Sequence, residues 1–397
     1  FRPLSFCIVD AVRSAPTVGR AGNYRRPQGH IAHLRMQARL ALKHTTSGPT
    51  LRRNQASRLP QRLLPASSAP RHSRAMSSST TTNTAAAAAA AGAAAAGSLE
   101  PLVSVDWLAE RFNDPAVRIL DTAWYMPVHQ RNNHADHRAA RIPGARFFDI
   151  DGVTADPRVA QGLPHMLPSE QGFAAAMDAL GITNDSTVVL YDHLGIFSAP
   201  RVWWTFKVFG HDRVTVLQGG LPAWRARGLP LECDPAPPDE IMFAASRACA
   251  APPPATSYRA VLDGSKVRTL EDMVANATSR KEQVMDARSW GRFIGTEPEP
   301  RPGLRGGHIP GSRSLPFPTL LEGGAYKPAE QLQAAFRAAG VDPRRPLVGS
   351  CGSGLTACVL ALGLYLVNGT LAPIYDGSWS EYGAREDVPV STSEEDP

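Results

Sequence analysis

The chain carries one α/β pattern twice, and that duplication restricts its fold more than any other feature. Val117–Trp124 (VRILDTAW) matches Gln283–Trp290 (QVMDARSW), with Asp121 opposite Asp286. Arg141-Ile-Pro-Gly matches His308-Ile-Pro-Gly, and Val188-Val-Leu-Tyr-Asp192-His-Leu-Gly195 matches Leu347-Val-Gly-Ser-Cys351-Gly-Ser-Gly354. Leu217–Trp224 matches Tyr375–Tyr382, so the four pairs keep their order at offsets of 165, 167, 159 and 158. Within each copy, apolar runs of strand length alternate with amphipathic stretches of helix length, which predicts a mostly parallel sheet flanked by helices.

A chain of 397 residues exceeds what one core usually supports, and the repeat divides it. Residues 1–97 read as a disordered leader with an Ala-rich spacer, 98–232 as a first domain, 233–256 as a linker, 257–391 as a second domain and 392–397 as a tail. The linker holds Pro235, Pro237, Pro238 and Pro252 to Pro254, which argue for an extended connector rather than a regular helix. Ligand sites commonly lie between such domains.

The charge is unevenly spread. Thirteen Arg and one Lys against Asp10 give residues 1–97 about +13; with the whole chain at +6, the remainder sums to −7. An Arg- and Ser-rich, acid-poor leader fits an organelle transit segment, mitochondrial in preference to plastid or cytoplasmic, with Met36 and Met76 as internal starts. Nucleic-acid binding is not expected, because stacking aromatics are not interleaved with the basic residues. No apolar run reaches membrane-spanning length. Cys7, Cys233, Cys249, Cys351 and Cys358 show no paired spacing, so neither a disulfide framework nor a metal site is expected, and no cofactor is implied.

Chemistry concentrates at residues 347–367, LVGSCGSGLTACVLALGLYLV, which read as a strand, a Gly-rich turn and an apolar helix. A Cys on such a turn faces unpaired backbone N–H groups and the positive end of the helix dipole. Both favour the thiolate, the nucleophilic form. Gly352 and Gly354 let the loop curl its amides inward as an anion cradle. The first copy has Asp192 where the second has Cys351, so it lacks the nucleophilic thiol; it is expected to be an inactive partner forming one wall of the cleft.

Cys351-Gly-Ser-Gly-Leu-Thr-Ala357 and Tyr375-Asp-Gly-Ser-Trp-Ser-Glu-Tyr382 resemble the active loop and C-terminal signature of the tandem rhodanese-domain 3-mercaptopyruvate sulfurtransferases. Trp124-Tyr-Met-Pro127, Leu163-Pro-His-Met-Leu-Pro168 and Gly195–Trp204 strengthen the likeness to plant-type members. The resemblance implies two rhodanese-like domains and a sulfur carried as a persulfide on Cys351. It further implies 3-mercaptopyruvate as donor, and a thiol such as thioredoxin, or cyanide, as acceptor. Thiosulfate-using relatives place basic residues just after the Cys; here Gly352 and Ser353 stand there, so the donor carboxylate must be held elsewhere. Gly291–Arg301 resembles the family's carboxylate clamp, which carries over to Arg292 and Arg301, whose planar forks suit a carboxylate. Ser353 is expected to assist the departing group, with Gly352, Gly354, Leu355 and Thr356 shaping the substrate loop.

One departure from the pattern bears on proton handling. Similar enzymes open the first Ile-Pro-Gly motif with a His assigned to a Ser–His–Asp relay, whereas this chain has Arg141, which cannot shuttle protons at neutral pH. His137, with His134 behind it, is the substitute weighed against a solvated loop role, and Arg141 is expected to add positive potential at the cleft. A Cys-dependent phosphatase needs Arg where Ala357 stands, which removes that rival. Thiosulfate as donor and a noncatalytic scaffold remain the alternatives.

Overall fold

The computed structural model describes residues 99–233 and 238–393. The leader and spacer expected at 1–97 lie outside the described residues.

The repeat folds as two five-stranded, wholly parallel sheets of one topology. The first has the order β1 (Leu102–Val103), β5 (Val214–Leu217), β4 (Thr187–Tyr191), β2 (Val117–Asp121), β3 (Arg146–Phe147). The second repeats it as β6 (Val267–Arg268), β12 (Ile374–Tyr375), β11 (Leu347–Ser350), β7 (Gln283–Asp286), β8 (Ser312–Ser314). The central strands β4 and β11 are buried at every residue, as continuous apolar runs covered on both faces by helices must be.

Helices cross between parallel strands and begin on local signals. Ser104 caps α1 (Val105–Ala109), Asn132 caps α2 (Asn133–Ala139) and Ser169 caps α3 (Glu170–Ala179), each accepting a backbone N–H of the first turn. After β4 comes α4 (Ala199–Val208), and after β5 comes α5 (Gly220–Ala226).

The Pro-rich connector is not extended throughout, contrary to its composition. It holds α6 (Asp239–Met242) and α7 (Ala244–Ala250), because the Pro clusters bracket a proline-free, Ala-rich stretch that helix propensity favours. Helix α7 lies against α3 at Gly172, where an added Cβ would stand 3.1 Å from the Cys249 carbonyl. Cys249 is therefore buried rather than an exposed linker thiol, and Cys233 is half-buried.

In the second copy, Thr269 and Asp272 form a capping box on α8 (Leu270–Ser279). Helix α9 (Trp290–Phe293) follows β7, a hairpin of β9 (Leu321–Glu322) and β10 (Ala325–Tyr326) follows β8, and α10 (Ala329–Ala338) leads to β11. Helix α11 (Ala357–Asn368) runs from the Cys351 loop to Gly369, and α12 (Ser378–Tyr382) closes the fold. Residues Ala357 to Leu364 of α11 are all buried, because the second sheet, α10 and the α4 of the first copy surround the helix. No helix among the described residues is long and apolar enough to cross a membrane.

The α4–α11 contact joins the halves into one core. Trp203 packs edge-on against Tyr365 with ring centroids 5.2 Å apart, and the indole of Trp204 donates to the Ala372 carbonyl at 3.3 Å. We therefore predict that Trp203→Ala costs about 3–5 kcal/mol and that urea unfolds both halves in a single transition. A variant in which one half melts early while the other keeps its wild-type midpoint would contradict this.

Candidate active site

Parallel sheets gather functional loops at the carboxyl ends of their strands. Strand β11 ends at Ser350, the chain turns through Cys351–Thr356, and α11 begins at Ala357 with its positive end toward the turn. The turn is held from below by α12: Ser378 Oγ accepts the Cys351 N–H at 3.2 Å, and the Trp379 and Ser380 amides donate to the carbonyls of Cys351 and Gly352. Gly354 is left-handed at φ +73°, the bend that lets so short a loop close.

Cys351, only 1% exposed, sits at the base of a cleft of about 230 Å³. The second copy lines it with Arg292, Arg301, Gly352, Ser353, Leu355 and Thr356, and the first with Trp124, Met126 and Phe197. Gly354 lies behind this wall, its carbonyl accepting from Arg201 at 3.2 Å and from the Cys358 thiol at 3.3 Å.

Two guanidinium groups close one side. A Cβ added to Gly352 would stand 3.1 Å from Arg292 Nη2 and 3.9 Å from Arg301 Nη1, so the lack of a side chain there admits both arginines to the Cys351 loop. Arg292 is oriented by Glu299, which receives Nη2 at 2.5 Å. Glu299 is in turn held by Arg288 at 2.8 Å, and Arg288 by both oxygens of Asp286 at the end of β7. His308 stacks on Phe293 at 3.6 Å and its Nδ1–H donates to the Phe293 carbonyl, 2.8 Å away, which fixes α9 from behind. Burial lowers the pKa of Arg301 from the usual arginine range, and the neighbouring Cys351 charge opposes that shift.

The opposite side carries a constellation the sequence did not reveal. His165 Nδ1 lies 3.0 Å from Ser353 Oγ, and His165 Nε2 lies 3.0 Å from Asp151 Oδ1. The Trp124 indole donates to Asp151 at 2.9 Å and meets the His165 ring edge-on. Although partial burial works against its charge, hydrogen bonds from His165 and Trp124 hold the Asp151 carboxyl below its usual range. A carboxylate, an imidazole and a hydroxyl in series can move a proton to or from whatever lies against Ser353.

This geometry corrects the expectation for Arg141. Its guanidinium pairs with Glu232, with which it also forms an isolated backbone bridge, and it lines a separate recess rather than the cleft. Position 141 thus fastens the end of the first domain, as His308 fastens the end of the second by bridging to Ser391. His137 is no substitute relay either: with His193 it binds Asp121, each at 2.8 Å, and those contacts pull the buried carboxyl down despite its desolvation.

The matching loop of the first copy is filled by its own side chain. Asp192 accepts the amides of Leu194, Phe197, Ser198 and Ala199 at 2.9 to 3.1 Å. Burial pushes the Asp192 carboxyl up, and these amides pull it back. A loop of this design converges several N–H groups on the position that Cys351 holds in the second copy.

Burial raises the pKa of the thiols of Cys249 and Cys358, to about 11 and about 12. Both stay protonated and inert at pH values well below those. At pH 8 a small neutral alkylating reagent should spare both in the folded protein and modify them once urea is added, as read by peptide mass mapping. Labelling of native Cys358 as fast as Cys351 would contradict this placement.

Comparison with known proteins agrees with the fold. The rhodanese-like domain family matches residues 104–227. The mitochondrial thiosulfate/3-mercaptopyruvate sulfurtransferase 1 of Arabidopsis thaliana is 45% identical over 74% of this chain and 79% of its own length. The 3-mercaptopyruvate sulfurtransferase of Homo sapiens is 42% identical over 72% of this chain and 94% of its own. Among solved structures, SseA of Escherichia coli, a 3-mercaptopyruvate sulfotransferase with the rhodanese fold, superposes with a TM-score of 0.60. It is 35% identical and covers 71% of this chain and all of its own. Identities of 42% and 45% over most of both relatives' lengths place the chain in the rhodanese-type thiosulfate/3-mercaptopyruvate sulfurtransferase family.

Proposed function

We propose that this chain moves a sulfane sulfur from 3-mercaptopyruvate, through a persulfide on Cys351, to an acceptor thiol such as thioredoxin or to cyanide, and releases pyruvate. The observation that carries this reading is the arrangement around Cys351: two guanidinium groups beside Gly352 on one side and the Ser353–His165–Asp151 series on the other. Residues 98–232 serve as the inactive domain and 257–391 as the catalytic one.

Arg292 and Arg301 grip the carboxylate and keto oxygens, which turns the donor sulfur toward Cys351. The Cys351 thiolate forms an S–S bond as the donor C–S bond breaks, and that electron pair leaves on the pyruvate enolate, whose developing oxyanion the same arginines stabilise. The donor's thiol proton enters the Ser353–His165 relay and returns to the enolate carbon, leaving pyruvate and a Cys351 persulfide. An acceptor thiolate or cyanide then takes the outer sulfur and restores the Cys351 thiolate. The Gly352, Gly354, Leu355 and Thr356 backbone cradles the persulfide anion, as the amides of the other loop hold the Asp192 carboxylate. The Arg-rich leader and the mitochondrial relative in Arabidopsis thaliana support import into mitochondria.

Purified protein given 3-mercaptopyruvate or thiosulfate in turn, with cyanide as acceptor, tests the donor. Pyruvate formation should be faster than sulfite formation, and Cys351→Ser should abolish both. Faster sulfite release would reassign the donor, and turnover by Cys351→Ser would reject the persulfide. Arg301→Leu should raise KM for 3-mercaptopyruvate about tenfold to a hundredfold, the worth of a charge-assisted contact of about 1.5–3 kcal/mol. An unchanged KM would remove Arg301 from the clamp.

A further inference from the structure

The duplication supplies an internal control for residues near the site, because each half presents the same segment to the loop of the other. Following the offset of 159 that relates Asp192 to Cys351, His165 corresponds to Gly324 and Leu167 to Tyr326. The correspondence is structural as well. His165 and Gly324 are both left-handed, at φ +62° and +80°. Each lies against the opposing loop: His165 meets Ser353, and a Cβ on Gly195 would stand 2.4 Å from the Gly324 carbonyl. Glycine takes this conformation freely, whereas a residue with a Cβ is strained there, by about 1 kcal/mol or more. The catalytic side thus keeps a strained histidine where the other side has relaxed glycine.

What anchors the two segments also differs. On the degenerate side, Gln218 makes a neutral pair of hydrogen bonds with the Tyr326 backbone, at 2.9 and 3.2 Å. On the catalytic side the matching residue is Asp376, which accepts the Leu167 N–H at 2.8 Å and pairs with Arg201 Nη2 at 2.6 Å. The same Nη2 donates to the His165 carbonyl at 2.5 Å, and Nη1 donates to Gly354, the residue after Ser353. Leu360 occupies the position matching Arg201 in the second copy. Arg201 and Asp376 are both almost fully buried, and a buried ion pair is a poor stability device that apolar or neutral groups commonly replace without loss. The fold itself is built without the pair on the other side.

We infer that Arg201 and Asp376 are positioning residues for sulfur transfer: their ion pair holds His165 in its left-handed conformation and fixes Nδ1 against Ser353 Oγ. This rests on the relay reading of Ser353, His165 and Asp151. One guanidinium grips the backbone on both sides of the relay contact, so the first copy's segment and the second copy's loop are set by the same group.

The test exchanges the pair for the residues of the other side, R201L/D376Q, in the full chain. We expect a cooperative unfolding transition, unchanged KM for 3-mercaptopyruvate, and single-turnover pyruvate release slowed about tenfold or more, with no further slowing when the exchange is added to H165Q. Wild-type release by a folded R201L/D376Q, while H165Q alone is slow, would overturn the inference, as would equal slowing with and without His165. A fast H165Q would overturn the relay reading, and this inference with it. D376N, which removes the charge at constant shape, provides the same readouts if the double exchange does not fold.

Discussion

The contact between His165 and Ser353 joins residues 188 positions apart and defines where the two halves must stand. A hydrogen bond at 3.0 Å tolerates little displacement, so everything that sets the two backbones is part of the site. The buried α4–α11 interface supplies the coarse alignment, with Trp203 against Tyr365. Finer adjustment comes from Arg201, which touches the carbonyls of both His165 and Gly354. Asp151 and Trp124 then set the direction of the imidazole from its far side.

The two loops show how one design was turned to two ends. In the first, the Asp192 carboxylate draws four amides onto itself and leaves no anion cradle to be filled. In the second, Cys351 takes that place and Gly352 opens the loop to Arg292 and Arg301. The first half is not idle, since it lines its neighbour's cleft with Trp124 and Phe197 and sets the His165–Asp151 arm against Ser353. Electrostatics follow the same division: Glu299, Arg288 and Asp286 form a buried chain that holds Arg292 from behind.

Much of this could be read from the sequence because it is local or repeated. The strand–loop–helix around Cys351 declared itself by glycines and apolar runs, and the repeat predicted two like sheets, which is what forms. The Ser353–His165 contact was not legible: His165 lies in an irregular segment whose partners are distant in the chain, and no spacing rule links it to Ser353. Arg141 misled for the opposite reason, since a motif position suggested chemistry where the structure has a pairing with Glu232. The helices α6 and α7 were hidden by prolines that flank them without entering them.

The central claim is that Ser353 and His165, from different halves, act as one unit on the reacting sulfur. Single-turnover pyruvate release from 3-mercaptopyruvate, measured for Ser353→Ala, His165→Gln and the double variant, tests it most directly. The account predicts that each single variant slows release by a similar factor and that the double variant is no slower than either. Multiplicative losses in the double variant, or a wild-type rate in His165→Gln, would contradict it.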